Sequence, residues 1–275
     1  LPCRNSSSSS IVKILTPTSG WSAWLNGEFL TSYLGDASIS QANLTLSFTN
    51  ATLSTTKPNV LLIVHDDTGH DETTGALNPR GILDSTLLGS ETGFTHWRLA
   101  GTAGGESNLD PVRGVYNEDG LFGERVGWHL PGYDDSAWKE TSTGSVLSFT
   151  GATVRFFRTT IDLDLPAGTD ISISFVLSTP SGTDKYRAQL FVNGYQYGRY
   201  NPYIGNQVVY PVPVGILDYK GVNTISVAVW AQTEEGASIG VDWRVNYVAD
   251  SSLDVSSLDT RDLRPEWTEE RVKFA

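Results

Sequence analysis

The chain has 275 residues, with 19 Lys and Arg against 31 Asp and Glu, a formal net charge of -12. That balance excludes nucleic-acid binding through a basic footprint, because neutralising phosphates needs clustered positive charge. No apolar run exceeds Val60-Leu61-Leu62-Ile63-Val64, far short of the roughly 20 residues of a membrane helix, so a membrane is not an expected partner either. A hydrophobic fraction of 39% with 11% aromatics supports a packed core. There is no methionine, and the expectation is a processed or truncated piece of a longer protein.

In chain order, the predicted elements are strands. Short alternating or apolar runs cover Leu44 to Phe48, Val60 to Val64, Val154 to Ile161, Ile171 to Leu177, Gln189 to Val192, Ile225 to Trp230 and Val241 to Tyr247. Asn26-Gly27, Pro166-Ala167-Gly168, Pro180-Ser181-Gly182 and Asn193-Gly194 supply hairpin and turn chemistry between them. No segment of helical length carries a clean 3.6-residue period. The predicted class is all-β, a sandwich or jelly roll.

Compartment is read from cysteine and sequons. Cys3 is the one cysteine, so no internal disulfide forms. Three Asn-x-Ser/Thr sequons, at Asn5, Asn43 and Asn50, crowd the first fifth of the chain. Average composition gives about one per couple of hundred residues, so the cluster points to secretion and to glycosylation at those three asparagines. No signal peptide is visible at Leu1, and a secretion signal would lie upstream.

An internal repeat sets the domain organisation. Trp24-Leu25-Asn26-Gly27 returns as Phe191-Val192-Asn193-Gly194, Asn59-Val60-Leu61 as Asn223-Thr224-Ile225, and Gly81-Ile82-Leu83 as Gly240-Val241-Asp242. The sequence therefore predicts two copies of one sandwich. Residues 1–110 form a first copy with a linker, 111–250 the second, and 251–275 a C-terminal tail. The second copy opens with Tyr133-Asp134-Asp135-Ser136-Ala137-Trp138-Lys139, which has no counterpart ahead of Asn26. The first copy is thus expected to lack about thirty N-terminal residues and an edge or strand pair, and not to be stable in isolation. The Asn-Val and Asn-Thr-Ile runs are expected to be buried central strands.

Reactive chemistry is sparse. The run His65-Asp66-Asp67-Thr68-Gly69-His70-Asp71-Glu72 is dense in ligand-type side chains but lacks EF-hand and His-Glu-x-x-His spacing, and reads as an acidic turn after a strand. Glu106, Glu118 and Glu124 are carboxylates without distinguishing spacing, and His65, His70, His96 and His129 have no triad context. No metal site and no cofactor are expected. Tyr195, Tyr197, Tyr200 and Tyr203, beside Arg199, either line a core or face a sugar. Trp97, in a glycine-rich stretch, is equally open to a structural or a binding reading.

Four runs carry a family resemblance: Trp24-Leu25-Asn26-Gly27-Glu28-Phe29-Leu30, Asn78-Pro79-Arg80-Gly81-Ile82-Leu83, Val112 through Arg125, and Pro213 through Gly221. Together and in this order they resemble the C-terminal jelly-roll domains of fungal secreted β-galactosidases of glycoside hydrolase family 35. The resemblance implies two jelly rolls and an intact enzyme of the retaining type, whose two catalytic Glu lie in an N-terminal (β/α)8 barrel. Such a barrel needs about 250 residues of alternating strand and helix, which are not in this sequence. No catalytic residue is therefore carried over, and the chain is expected to be inactive alone. It would support the barrel by packing on it and meet galactosides only through the intact enzyme. His96 through Glu106 resembles the family's Trp-x-Leu-x-Gly stretch, which makes Trp97 the one expected substrate contact, on the leaving-group side. The alternative is a carbohydrate-binding module acting through exposed aromatics. Either protein would be extracellular.

Overall fold

The structure is a computed structural model and describes residues 9–15, 20–35, 42–48, 52–66, 74, 81–88, 93–100, 120–141, 144–252 and 265–274. The chain forms two compact units, Leu1–Arg98 with Gln232–Glu234, and Leu99–Ala231 with Glu235–Ala275. All pairings between strands are antiparallel.

In the first unit the strands are β1 (Ser9–Leu15), β2 (Gly20–Leu25), β3 (Glu28–Tyr33), β4 (Ala42–Ser47), β5 (Leu61–Asp66) and β6 (Gly81–Leu87). They make two sheets, in the orders β4-β1-β6 and β3-β2-β5. Trp21, Ala23 and Leu25 project from one face of β2 and meet Leu46 and Phe48 in a small core.

The second unit holds β7 (Val146–Phe149), β8 (Val154–Asp164), β9 (Thr169–Ser178), β10 (Tyr186–Val192), β11 (Tyr195–Tyr200), β12 (Val209–Pro211), β13 (Lys220–Ala231) and β14 (Ala237–Asp250). The sheets run β11-β10-β13-β8 and β12-β9-β14-β7, an eight-strand, two-sheet arrangement with the strand order of a jelly roll. Leu177, Leu190, Val192, Val229 and Ile239 are fully buried between the sheets. β13 is paired on both sides, with β10 and β8, and is buried from Asn223 onward. Its second face is covered as well. Trp128 stands edge-on to Phe156 at 5.7 Å, and His129 lies 4.8 Å from Phe191.

The repeat is visible atom by atom. Asn26-Gly27 and Asn193-Gly194 both have positive φ at both residues, the type I′ geometry of a two-residue hairpin. The Asn26 side chain donates to Asn59 Oδ1 at 2.8 Å and accepts from the Val60 amide at 2.9 Å. The Asn193 side chain donates to Asn223 Oδ1 at 2.8 Å and accepts from the Thr224 amide at 2.8 Å. Each second asparagine in turn closes a loop upstream of it, Asn59 on Ser54 and Asn223 on Asp218. By these landmarks and by sheet order, β1–β6 correspond to β9–β14. Among the described residues, no strand of the first unit corresponds to β7 or β8.

One expectation is corrected here. β13 is a buried central strand, but its counterpart β5 is not. Among the described residues β5 pairs only with β2, and Leu62 is 53% exposed. The reason is positional, since no described strand takes the place beside β5 that β8 takes beside β13.

Ahead of β7 lies a short helix, α1 (Phe122–Val126), capped by Gly127 in the left-handed region at φ 86°. Any Cβ at Gly127 would also come within 2.8 Å of the Trp267 ring. The chain end packs on α1. Trp267 Nε1 donates to the Val126 carbonyl at 2.9 Å, and Arg271, on the 3-10 helix Glu269–Phe274, donates to the Glu124 carbonyl at 3.2 Å.

Candidate functional site

A cleft of about 700 Å³ opens in the second unit and is lined by residues of β7 and β8, the outer strands of the two sheets. Leu147, Phe157, Ile225 and Val227 form an apolar floor that reaches the inter-sheet core. Asp135, Lys139, Glu140 and Thr159 supply polar groups, and Trp138 adds an aromatic ring. The 133–141 segment brings most of that polar rim, so the site combines loop chemistry with a floor drawn from strands far away in sequence.

Arg158 holds the loop in place. Its side chain is 5% exposed. Nε donates to Asp135 Oδ2 at 2.8 Å, Nη1 to the Trp128 and Leu130 carbonyls at 3.0 and 2.7 Å, and Nη2 to the Tyr133 carbonyl at 3.4 Å. A guanidinium suits this role because its donors are rigidly spread. Trp138 stacks edge-on against Trp128 at 5.1 Å and Tyr133 at 5.8 Å, which fixes the ring at the rim. We expect Arg158→Ala to cost about 2–4 kcal/mol, because it removes the donor shared by three part-buried carbonyls together with the packing of the guanidinium itself. Asp135→Asn, at a half-exposed position, should cost about 1 kcal/mol or less. Urea denaturation followed by tryptophan emission checks both.

His129, just ahead of that loop, is fully buried. Burial, then the nearby Arg271 and Arg158 charges, lower its pKa to about 3. The imidazole is thus neutral in the folded protein across the range where free histidine titrates.

Chemically the cleft suits a ligand with one apolar face and several hydroxyls, since it pairs an aromatic ring and apolar floor with carboxylate, ammonium and hydroxyl groups. One of its two carboxylates, Asp135, is already engaged by Arg158.

The residues singled out from sequence lie elsewhere. Trp97 is 59% exposed, with its ring edge-on to Phe94 at 5.1 Å. Asn43 is exposed on β4, the outer strand of its sheet, while Asn5 and Asn50 lie outside the described residues. Glu106, Glu118 and the acidic run from Asp67 to Glu72 also lie outside them. Among the described residues no group of three or more His, Cys, Asp or Glu is placed to hold a metal ion. Glu124 is fully buried on α1, where its carboxylate accepts from the Leu121 amide at 3.4 Å.

The tyrosine run is structural. Tyr200 is buried and shares Thr179 Oγ1 with Tyr186, Tyr197 donates to the Pro211 carbonyl, and Tyr203 accepts from Arg187 at 3.0 Å. Burial pushes the Tyr197 hydroxyl up to about 12. Sequence reasoning did not pick the cleft. Its signal was the Tyr133-to-Lys139 run, read only as the opening of a sandwich.

Comparison with known proteins agrees with the fold. Residues 4–71 and 122–235 match the family model described as the beta-galactosidase second all-beta domain. A probable beta-galactosidase B of Penicillium rubens is 82% identical over 262 residues, covering 93% of this chain and 26% of that protein. Those of Neosartorya fischeri and Aspergillus niger are 72% and 71% identical over 266 and 264 residues, with the same coverage. The chain thus spans about a quarter of the length of these curated relatives. Among solved structures, an apo Pleurotus ostreatus lectin superposes over 91% of this chain and 75% of its own, but with a TM-score of 0.27 and 13% identity it carries no argument. The all-β sheets and the family match, which spans most of the residues, agree: the chain belongs to the family of the beta-galactosidase second all-beta domain.

Proposed function

We propose that this chain is the non-catalytic, C-terminal β-sandwich segment of a β-galactosidase that hydrolyses terminal β-galactosides. One observation carries the reading: 82% identity to a probable beta-galactosidase B over 93% of this chain, in a stretch that is only 26% of that protein. Catalysis then resides in a barrel outside these residues, by double displacement through a galactosyl-enzyme intermediate, and the two sandwiches pack against that barrel. Residues 1–110, 111–250 and 251–275 are the proposed first sandwich with linker, second sandwich and tail. The exposure of Trp97 supports a contact with the substrate's leaving group. Extracellular location and glycans on Asn5, Asn43 and Asn50 complete the proposal, supported by the exposure of Asn43 on an outer strand.

The test is turnover of a chromogenic β-galactoside. The 275-residue chain should give none, and the full-length polypeptide should be active. Turnover by the chain that persists through repurification would remove the claim that catalysis lies elsewhere.

A second reading, a carbohydrate-binding module, is favoured by the cleft with Trp138 at its rim. It predicts heat on titrating galactose or lactose into the chain at millimolar sugar, abolished by Trp138→Ala. A flat titration rejects it.

A further inference from the structure

The inter-sheet core of the second sandwich continues beyond its cover along β14. Register places Val241 opposite Leu177, Trp243 opposite Phe175, Val245 opposite Ile173 and Val248 opposite Ile171. Directly paired residues share a face, and those four β9 residues are core. The β14 row therefore points to the core side of the sheet. Yet Trp243 is 50% exposed, Val245 47% and Val248 63%.

The backbone edge is uncovered as well. β7 pairs with β14 only from Ala237 to Gly240, while β9 follows β14 to Asp250. Among the described residues, no strand pairs with the other edge of β14 from Asp242 to Asp250. The opposite face of this stretch carries Asp242, Arg244, Asn246 and Tyr247, with Asn246 donating to Ser172 at 3.0 Å and Ser174 at 2.6 Å and the Tyr247 hydroxyl to Asp170 at 3.3 Å. Apolar side chains inward, polar ones outward and an open edge are the features of a strand awaiting a neighbour. A long, flat, apolar edge left bare in a mature protein would be an aggregation site.

We propose that this flank seats an extended segment of the same polypeptide, drawn from outside these 275 residues, which pairs with Asp242–Asp250 and covers Trp243, Val245 and Val248. The proposal rests on the reading of the chain as one segment of a longer β-galactosidase. About three quarters of the Penicillium rubens relative lies beyond the matched region, so there is ample chain to supply the strand. A tethered segment also acts at an effective concentration of about millimolar. That favours it over a second copy of this chain, which would have to associate from dilute solution.

The test places the photo-crosslinker p-benzoylphenylalanine at position 243 of the full-length polypeptide, followed by peptide mapping. The expected product is an intramolecular crosslink to a peptide outside residues 1–275, with slowed amide exchange from Asp242 to Asp250. A crosslinked species of doubled mass makes a second copy the occupant and overturns the proposal. So does a crosslink within residues 1–275, or no crosslink with exchange as fast as in an unpaired strand. Turnover of a β-galactoside by the same preparation reports separately on the underlying reading. An active protein without the crosslink sinks only the docking, whereas a folded protein without activity sinks the enzyme assignment.

Discussion

Asn223→Ala should destabilise the second sandwich by about 3–5 kcal/mol, as expected when several buried polar groups lose their partner at once. Asn223 is fully buried. Its Oδ1 accepts from the Asp218 amide at 2.6 Å and from Asn193 Nδ2 at 2.8 Å. Its Nδ2 donates to the Asp218 and Gly221 carbonyls at 2.8 and 3.0 Å. Alanine leaves all four without that partner in a place water reaches poorly. Asn59→Ala provides the internal comparison, because it breaks the same pattern of bonds in the first unit at an exposed site. There water replaces the lost partner, and the expected cost is about 1 kcal/mol. Denaturant unfolding of both variants checks the pair. Equal losses would mean that burial is not what gives the Asn193–Asn223 pair its weight.

Acid should weaken the second unit through His129. Its pKa is about 3 when folded, against the ordinary 6.5 of a histidine side chain. Above pH 6.5 the imidazole is neutral in both states and contributes nothing to the pH dependence. As pH falls below 6.5 the unfolded chain takes up a proton that the folded one refuses, so stability declines by about 1.4 kcal/mol per pH unit until near pH 3. At pH 4 the loss from this one residue is about 3 kcal/mol. His129→Gln stays neutral throughout and should remove about one proton's worth of slope between pH 6 and 4, read from urea midpoints at several pH values. An unchanged slope would place the acid sensitivity elsewhere. The burial that produces the shift also explains the packing, with the neutral ring set 4.8 Å from Phe191.

Much of this fold was legible in local chemistry. Asn-Gly pairs demand positive φ at two successive residues, so the dipeptides alone name the hairpins at Asn26 and Asn193. Apolar runs such as Ile225 to Trp230 mark a strand buried on both faces. The repeat was legible because each copy needs its hairpin asparagine to close on a second one about thirty residues later. What escaped were β7 and β12, of four and three residues, too short for alternation to register. β1 escaped behind its polar and basic residues. The position of β5 escaped too, because a strand's own sequence does not reveal whether a neighbour lies beside it.

The cleft was less legible than the fold. Its floor comes from β7, β8 and β13, whose residues look like ordinary core, and its rim comes from the Tyr133-to-Lys139 run, whose sequence reads only as the opening of the second sandwich. Arg158 joins the two, and nothing in its own neighbourhood of sequence announces a clamp on residues 128–135. The tyrosine run around Tyr197 shows the reverse. Its sequence left a core and a sugar-facing reading open, and in the structure the hydroxyls of Tyr200, Tyr197 and Tyr203 bond Thr179, the Pro211 carbonyl and Arg187.

The most direct test of a catalytic centre outside this chain is covalent. A 2-deoxy-2-fluorogalactosyl fluoride traps the nucleophile of a retaining β-galactosidase as a stable glycosyl ester. Incubated with the full-length polypeptide and mapped by mass spectrometry, the label should fall on a glutamate outside residues 1–275, and the 275-residue chain alone should take up none. A label on any carboxylate within residues 1–275 would contradict the reading of this chain as the non-catalytic segment of the enzyme.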